Sequence, residues 1–280
     1  MFVMSNNIQQ LVRKIIAIPG YYSGINYIVQ KTLRLIHGPK LIVINYHRIT
    51  DSHQLNDLFA VSRYVFEKQI TYLKDRYNII SFSEVFKRRG ELKDGIDYLV
   101  ITFDDGYEDN FINAVPILLK HKVRACFFIT TELIDHFPEG ASRSIKKYPG
   151  MKSDDLKAMR DMGFEIGAHT LSHPNLLQIP LNHAQHEISE SREQLEQILQ
   201  QEVTYFAYPG GKIGIHYNNT IKNLVAAAGY ELCCTTNRGR NSFRSFDMLD
   251  INRITVRNWW SPFYFAREIE GIFDFKILDK

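Results

Sequence analysis

The sequence contains few cysteines and no long apolar run. Only three of the 280 residues are cysteine. Cys233 and Cys234 are neighbours in a strand-like run and point to opposite faces, whereas Cys126 lies among apolar residues, which is typical of core packing. Thiols in such positions are usual in a reduced compartment, so we expect a cytoplasmic protein. No apolar run approaches the roughly 18 residues that a membrane-spanning helix needs.

Acidic residues are absent from the first fifty positions. The basic residues there are Arg13, Lys14, Lys31, Arg34, Lys40 and Arg48. Apolar residues recur at helical spacing on both sides of Pro19, which predicts basic amphipathic helices in residues 1–40, before a main domain in residues 41–280. Such helices suit an anionic membrane, so peripheral contact with the inner membrane surface is predicted. Packing of the helices against the domain, with their charges solvated, is an equal alternative.

The chain also lacks internal repeats, low-complexity tracts and linkers rich in proline, glycine or serine. With 280 residues, 45% of them hydrophobic, the chain can bury a large core, and one domain of barrel size is as plausible as two smaller ones. The formal net charge is only +3, and no stripe of interleaved basic and aromatic residues occurs. We therefore expect no nucleic-acid partner. Strand-like and helix-like segments alternate from residue 41 onward, which predicts a parallel α/β barrel or open sheet.

Two adjacent carboxylates follow an apolar run. Residues 98–103 are typical of a buried strand, and Asp104, Asp105 and Gly106 come directly after it. Two like charges at the end of a buried strand are costly unless a cation or a proton separates their roles. The pattern therefore predicts one carboxylate that holds a metal ion and one that transfers a proton.

Two histidines can complete such a metal site. His169 and His173 are four residues apart, which would place both imidazoles on one face of a helical turn. With Asp105 they make a carboxylate and two imidazoles, a set that leaves coordination positions open for water and substrate. His183 and His186 are three residues apart on a polar helix, where we expect them to be solvated rather than bound to metal.

These two segments resemble the first two motifs of the NodB-type polysaccharide deacetylases (carbohydrate esterase family 4). The matching residues are Thr102–Gly106 and His169–His173, and residues 206–210 occupy the place of a third motif. The resemblance implies a distorted (β/α) barrel of about seven parallel strands. It also implies a hydrolase that removes N-acetyl groups from a glycan or lipid-linked sugar and releases acetate.

The resemblance also assigns roles to residues. Asp104 would be the general base, while Asp105, His169 and His173 would bind a divalent metal ion, with zinc expected. Tyr208, Pro209 and Gly210 would face the substrate and the developing oxyanion.

The sequence departs from the family pattern in two places. Ala207 stands where the family carries an arginine that orients the base, and we predict that Arg253 replaces it and keeps Asp104 ionised. A surface arginine in a strand is the alternative. The family's late histidine acid has no match either. We predict His47 as the acid, because it follows a strand whose end would face the site, although a structural Tyr-His pair at the barrel rim is equally plausible.

The positions of these residues relative to the predicted strands support one site. His47, Asp104, Asp105, His169 and Pro209 each follow a predicted strand, and in a β/α barrel those strand ends share the catalytic face.

The substrate is less determined than the reaction. Trp259, Trp260 and Tyr264 can stack on sugar rings or pack in the core. Residues 132–150 form a loop long enough to shape a substrate groove. Three other functions stay open: hydrolysis of a small non-sugar amide, an Fe(II) oxygenase that uses the same ligands, and a non-catalytic glycan-binding module.

Overall fold

The core of the protein is a curled sheet of mostly parallel strands. The computed structural model describes residues 40–54, 56–88, 97–136, 147–243 and 246–271. The strands are β1 (Lys40–Tyr46), β2 (Arg48–Thr50), β3 (Ala60–Ser62), β4 (Asn78–Ile79), β5 (Tyr98–Phe103), β6 (Cys126–Ile129), β7 (Glu165–Ala168), β8 (Tyr205–Ala207), β9 (Leu232–Cys234), β10 (Asn241–Ser242) and β11 (Ile254–Thr255). The α-helices are α1 (Arg63–Arg76), α2 (Phe82–Arg88), α3 (Val115–His121), α4 (Ser153–Asp161), α5 (Leu181–Leu199), α6 (Asn219–Ala227) and α7 (Pro262–Ile269).

The strand order places the ends of the long strands side by side. The sheet runs β10-β1-β5-β6-β7-β8-β9, with β11 beside β1 and β4 beside β5, and only β10 is antiparallel to its neighbour. β2 and β3 form a separate parallel pair. The arrangement is a curled α/β half-barrel, which confirms the predicted fold class. Because the strands are parallel, their carboxyl ends lie at one edge, and every predicted site residue that follows a strand is brought to that edge.

The continuous apolar strands are explained by burial on both faces. In β1, Ile42 and Ile44 pack in one hydrophobic cluster, while Leu41 and Val43 pack in a second one on the opposite face. All four side chains are fully buried. Strands buried on both faces need apolar residues at every position rather than in alternation.

The cysteines follow the same rule. Cys233 and Cys234 lie in different clusters, on opposite faces of β9, and the three cysteines are buried and free. The predicted placement of Cys233 and Cys234 on opposite faces is therefore confirmed.

Several helices begin at the residues that the sequence indicates. Ser62 accepts a hydrogen bond from the Val65 amide at the start of α1 (3.4 Å), and Asn218 accepts one from the Ile221 amide at the start of α6 (3.0 Å). α2 begins at Phe82, directly after Ser81.

A capping box stabilises the start of α2. The Ser81 hydroxyl accepts a hydrogen bond from the Glu84 amide, and the Glu84 carboxylate accepts one from the Ser81 amide. The Glu165 carboxylate of β7 accepts hydrogen bonds from the next two amides, those of Phe82 and Ser83, each at 2.8 Å. The first turn of α2 is thus held by a strand that lies eighty residues further along the chain.

The predicted amphipathic helices of residues 1–40 lie outside the described residues, except for Lys40, which begins β1. That part of the prediction, with its membrane contact, stays a prediction. Within the described ranges, no helix is both long enough and apolar enough to span a membrane.

We expect Glu165→Ala to lower the free energy of unfolding by about 1–3 kcal/mol, because it leaves two amides of the first turn of α2 without their acceptor. Urea unfolding measures the loss. Glu193→Ala, on the exposed side of α5, is the matched control and should change stability by less than about 0.5 kcal/mol. Equal effects of the two substitutions would contradict the assignment of Glu165 as a tertiary cap.

Candidate active site

The Asp pair lies in a sharp turn at the end of β5. The Asp104 amide donates to the Tyr46 carbonyl (3.0 Å), which extends the pairing of β1 and β5 by one residue. Asp105 and Gly106 then adopt positive φ angles of 76° and 86°. The left-handed conformation is costly for a residue with a side chain, and it is most often retained where function requires it. Because of this turn, the carboxylates of Asp104 and Asp105 point in different directions.

Asp104 is held by a buried arginine. Arg253 donates from Nη1 to Oδ1 (2.8 Å) and from Nη2 to Oδ2 (2.7 Å), and Asn45 donates from Nδ2 to Oδ2 (2.8 Å). Asp104 is 2% exposed and Arg253 is 1% exposed, so this is a fully desolvated bidentate pair. Arg253 also donates from Nε to the Thr235 carbonyl, which fixes the plane of its guanidinium group.

The pair determines the ionisation of Asp104. Burial alone would raise the pKa of this carboxyl, but the charge and hydrogen bonds of Arg253, together with His169 and His47, outweigh burial and hold the pKa well below its usual range. The predicted contact between Arg253 and Asp104, in place of the arginine that the family carries at position 207, is therefore present. The alternative of a surface arginine is wrong, because the side chain of Arg253 is buried.

Asp105 points to the two histidines instead. Its Oδ1 lies 3.6 Å from Nε2 of His169 and 3.5 Å from Nε2 of His173. The ligand atoms of the three side chains are all within 4.8 Å of one another, as a shared cation requires. Nδ1 of His169 lies 2.7 Å from the Ala207 carbonyl and donates to it, which leaves Nε2 free to bind a metal ion. The donors thus fit a divalent cation.

The protonation states of these three side chains also favour a bound cation. Burial raises the pKa of Asp105 to about 6 and lowers the pKa of His169 to about 3. Burial lowers the pKa of His173 as well. Neutral imidazoles are the form that binds metals, and a bound cation would stabilise the ionised form of Asp105.

The histidine segment is not a helical turn, so that prediction is wrong. Thr170 and His173 have positive φ angles of 66° and 63°. The His173 amide donates to the Thr170 hydroxyl, and both the amide and the hydroxyl of Ser172 donate to Glu187 of α5. The two left-handed residues fold the loop back and bring the imidazoles of His169 and His173 together. The ring centroids are 4.8 Å apart.

His47 follows β1 and lines the same pocket as the Asp pair. Its ring packs on Phe59 with a centroid separation of 4.3 Å, and its carbonyl accepts a hydrogen bond from Asn110. Within the described residues its buried Nδ1 has no hydrogen-bond partner. Burial lowers the pKa of the imidazole. A buried polar atom without a partner at the rim of a pocket indicates a group available to a ligand.

The third predicted segment contributes less than the sequence suggests. The Tyr208 side chain is fully buried, stacks on Tyr217 (4.2 Å) and donates to the Leu249 carbonyl, while its amide donates to Cys234. The substrate role predicted for Tyr208 is therefore wrong, because it occupies the inward face of the strand end. Pro209 has no amide hydrogen to donate.

Gly210 is the part of that segment that reaches the site. It lines the pocket and has a positive φ of 67°. A Cβ atom at this position would lie 2.7 Å from the His216 ring, so only glycine lets the backbone pass there.

The pocket itself has a volume of about 690 Å³. Trp259, Trp260 and Tyr264 line one side of it. Trp259 is 46% exposed and is available to a sugar ring, whereas Trp260 is 9% exposed and packs in the core. His183 and His186 are exposed, as expected, and no cluster that could hold a metal ion forms around them within the described residues.

Asn45 is a site residue that the sequence argument missed. Besides its bond to Asp104, its Oδ1 accepts a hydrogen bond from Thr102 (3.1 Å). A polar residue inside the apolar run of β1 was the available signal, because a fully buried amide needs partners.

The comparisons with known proteins agree with this geometry. Residues 92–233 match the family Polysaccharide deacetylase. YxkH of Bacillus subtilis (strain 168), named as a candidate polysaccharide deacetylase, is 27% identical over 235 residues, which are 83% of this chain and 77% of that protein. The peptidoglycan N-acetylmuramic acid deacetylase PdaA of the same organism is 30% identical over 56% of this chain and 51% of its own length.

A solved structure supports the same assignment. The Streptococcus pyogenes deacetylase PplD, in complex with acetate, has a TM-score of 0.69 and 26% identity, with 83% of this chain and 99% of that chain covered.

We expect Arg253→Met to lower the free energy of unfolding at neutral pH by about 3–5 kcal/mol, because it leaves Asp104 buried and unpaired. In the wild type the pKa of Asp104 is lower in the folded than in the unfolded state. Its stabilisation is therefore present above about pH 4 and is lost as the pH falls through the folded pKa. In the variant, burial raises the pKa of Asp104, and its ionised form destabilises the fold.

The difference in free energy of unfolding between the wild type and Arg253→Met should consequently be smaller at about pH 5 than at about pH 7. Urea unfolding at both pH values measures it. Arg63→Met, at an exposed ion pair with Asp51, is the control and should cost less than about 1 kcal/mol at either pH. A difference that does not change with pH would show that Arg253 acts only through packing.

Proposed function

Because the chain belongs to the polysaccharide deacetylase family, we propose that it removes N-acetyl groups from an N-acetylhexosamine-containing glycan, either a polysaccharide or a lipid-linked sugar, and releases acetate. One observation carries the proposal. An ionised carboxylate, Asp104, is clamped by Arg253 directly beside a carboxylate–imidazole–imidazole set. A pocket that combines a fixed base with a cation site suits the hydrolysis of an amide.

Asp105, His169 and His173 would hold the cation, which we propose to be zinc. When bound, zinc polarises the amide carbonyl and lowers the pKa of water. The protein contributes the orientation of the ligands: the Ala207 carbonyl fixes the tautomer of His169, and the strained backbone of Asp105 turns its carboxylate away from Arg253.

Asp104 would act as the general base. A carboxylate accepts about four hydrogen bonds, and three positions on Asp104 are taken by the two Arg253 nitrogens and Asn45. The remaining position is available to the attacking water. Because Arg253 holds the carboxylate ionised and in one orientation, Asp104 can accept the proton of that water without first losing one of its own.

His47 and Gly210, which both line the pocket, would complete the reaction. The amine that leaves the tetrahedral intermediate needs a proton, and His47 is the described histidine that lines the pocket outside the metal set. The amide of Gly210 is the candidate donor to the oxyanion, because the missing side chain lets the backbone approach.

The choice of a glycan over a small amide rests on the shape of the pocket. A volume of about 690 Å³ bordered by Trp259 and Tyr264 is larger than an acetamide group needs, and aromatic planes stack on the apolar faces of sugar rings. The acetate bound to PplD is the product expected here. An Fe(II) oxygenase would need no clamped base beside its ligands, and a binding module would not need an ionised Asp104.

Substitutions of the two neighbouring aspartates should have different effects on activity and on zinc binding. Zinc-loaded Asp104→Asn should release acetate from an N-acetylglucosamine oligomer at least about 100-fold more slowly, with its zinc content unchanged. Asp105→Asn should lose zinc as well as activity. Acetate assays and metal analysis of the two purified variants make the comparison, with thermal unfolding to check the fold. Loss of zinc from Asp104→Asn alone would reverse the assignment.

His47 as the acid predicts a dependence on the leaving group. His47→Asn should lower the N-deacetylation rate about 100-fold, because the amine must be protonated as it departs. Hydrolysis of p-nitrophenyl acetate, whose leaving group needs no proton, should fall by less than about tenfold. Equal losses for both substrates would show that His47 only positions other groups.

A further inference from the structure

The pocket holds more positive charge than its own acids neutralise. Its basic residues are Lys212, Arg238, Arg253 and Arg257, and its acidic residues are Asp104, Asp105 and Glu268. Arg253 pairs with Asp104 (2.7 Å), and Arg238 pairs with the buried Glu268 (2.5 Å). Asp105 faces the cation site. Lys212 and Arg257 remain, and within the described residues neither has an acidic partner.

Arg257 is the more informative of these two cations, because it is half-buried whereas Lys212 is exposed. Its guanidinium carbon lies 4.1 Å from the centroid of the Phe59 ring, and that same ring packs against His47. The Phe59 ring therefore contacts both Arg257 and the predicted acid His47. A cation–π contact of this kind uses none of the guanidinium N–H donors, and those N–H groups have no acceptor among the described residues.

The backbone beside Arg257 is firmly held. The Asn258 side chain donates to the Gln54 and Asp57 carbonyls, each at 2.9 Å, and the Asn258 amide donates to the Leu58 carbonyl at 2.9 Å. These bonds join the segment after β11 to the loop that carries Phe59. The backbone that carries Arg257 is thus fixed before any ligand arrives, which reduces the entropy lost on binding.

A structural role does not account for this placement. A guanidinium group that only supports the fold is normally paired or hydrogen-bonded when it is partly buried. Burial lowers the pKa of Arg257, and no neighbouring acid offsets that effect. The group stays charged, since the pKa of arginine is very high. Its N–H groups are not among the buried polar atoms that lack a partner, so they reach solvent in the pocket and are available to a planar acceptor with two oxygens.

We propose that Arg257 binds an oxyanion, a carboxylate or a phosphate ester, on the substrate, so that the enzyme prefers charged glycans to neutral ones. The inference rests on the proposed deacetylation and adds the class of substrate. Arginine recognises both oxyanions through paired N–H donors, and Lys212 adds a second positive charge to the same pocket. The carboxylate would come from an acidic sugar, and the phosphate from a lipid-linked sugar.

Three disaccharides test the proposal: neutral N,N′-diacetylchitobiose, its anomeric phosphate, and N-acetylglucosaminyl-N-acetylmuramic acid, which carries a carboxylate. Zinc-loaded wild type should show a kcat/KM at least about tenfold higher for one of the charged sugars than for the neutral one. In Arg257→Gln this ratio should fall at least about tenfold. Arg63→Gln, at an exposed ion pair outside the pocket, should keep it. The preferred charged sugar identifies the source of the anion.

Calorimetry with zinc-loaded Asp104→Asn and with the Asp104→Asn/Arg257→Gln double variant repeats the comparison without turnover. Tighter binding of a charged sugar that disappears in the double variant supports the role of Arg257, even if the wild type releases no acetate and the proposed reaction fails. Equal affinity for charged and neutral sugars, or a preference that survives Arg257→Gln in both assays, would overturn it.

Discussion

The structure of the site depends on one buried ion pair, that of Asp104 and Arg253. Either charge alone would be strongly destabilising in a fully desolvated position, so each stabilises the other. The pair joins β5 to the segment that enters β11, and Asn45 of β1 completes it. Neighbouring parallel strands are therefore held in register at the edge where the pocket opens. A single interaction keeps the base ionised, fixes its orientation and anchors the last strand of the sheet.

The division of work between the two aspartates follows from backbone geometry. Adjacent residues in an extended strand point to opposite sides, but here both must serve one pocket. The left-handed conformation of Asp105 achieves this by turning its carboxylate toward the histidines, while Asp104 stays with Arg253. The loop of His169 and His173 uses two further left-handed residues for the same purpose. Strain concentrated at these positions is typical of a site whose geometry is maintained by the surrounding fold.

The residues that the sequence could predict are those whose neighbours in the chain explain them. Apolar strands followed by Asp104, Asp105 and His169 predicted a common edge because parallel strands end together. The left-handed turns were not predictable from spacing, so the His-x-x-x-His pattern was wrongly expected to be helical. Tyr208 was wrongly placed because its role was taken from the family resemblance, which does not say which face of the strand end is inward. Asn45 and Arg257 were missed, since the residues that they contact, Asp104 and Phe59, lie far away in sequence.

The account rests most directly on where a metal ion binds relative to the two aspartates. A crystal structure of the protein with zinc and acetate, with the metal located from its anomalous signal, tests this. We expect zinc on Asp105, His169 and His173, with acetate beside it and Asp104 still paired with Arg253 and outside the coordination shell. Zinc bound by Asp104, or Asp104 released from Arg253 when the metal binds, would contradict the separation of base and ligand on which the proposed reaction depends.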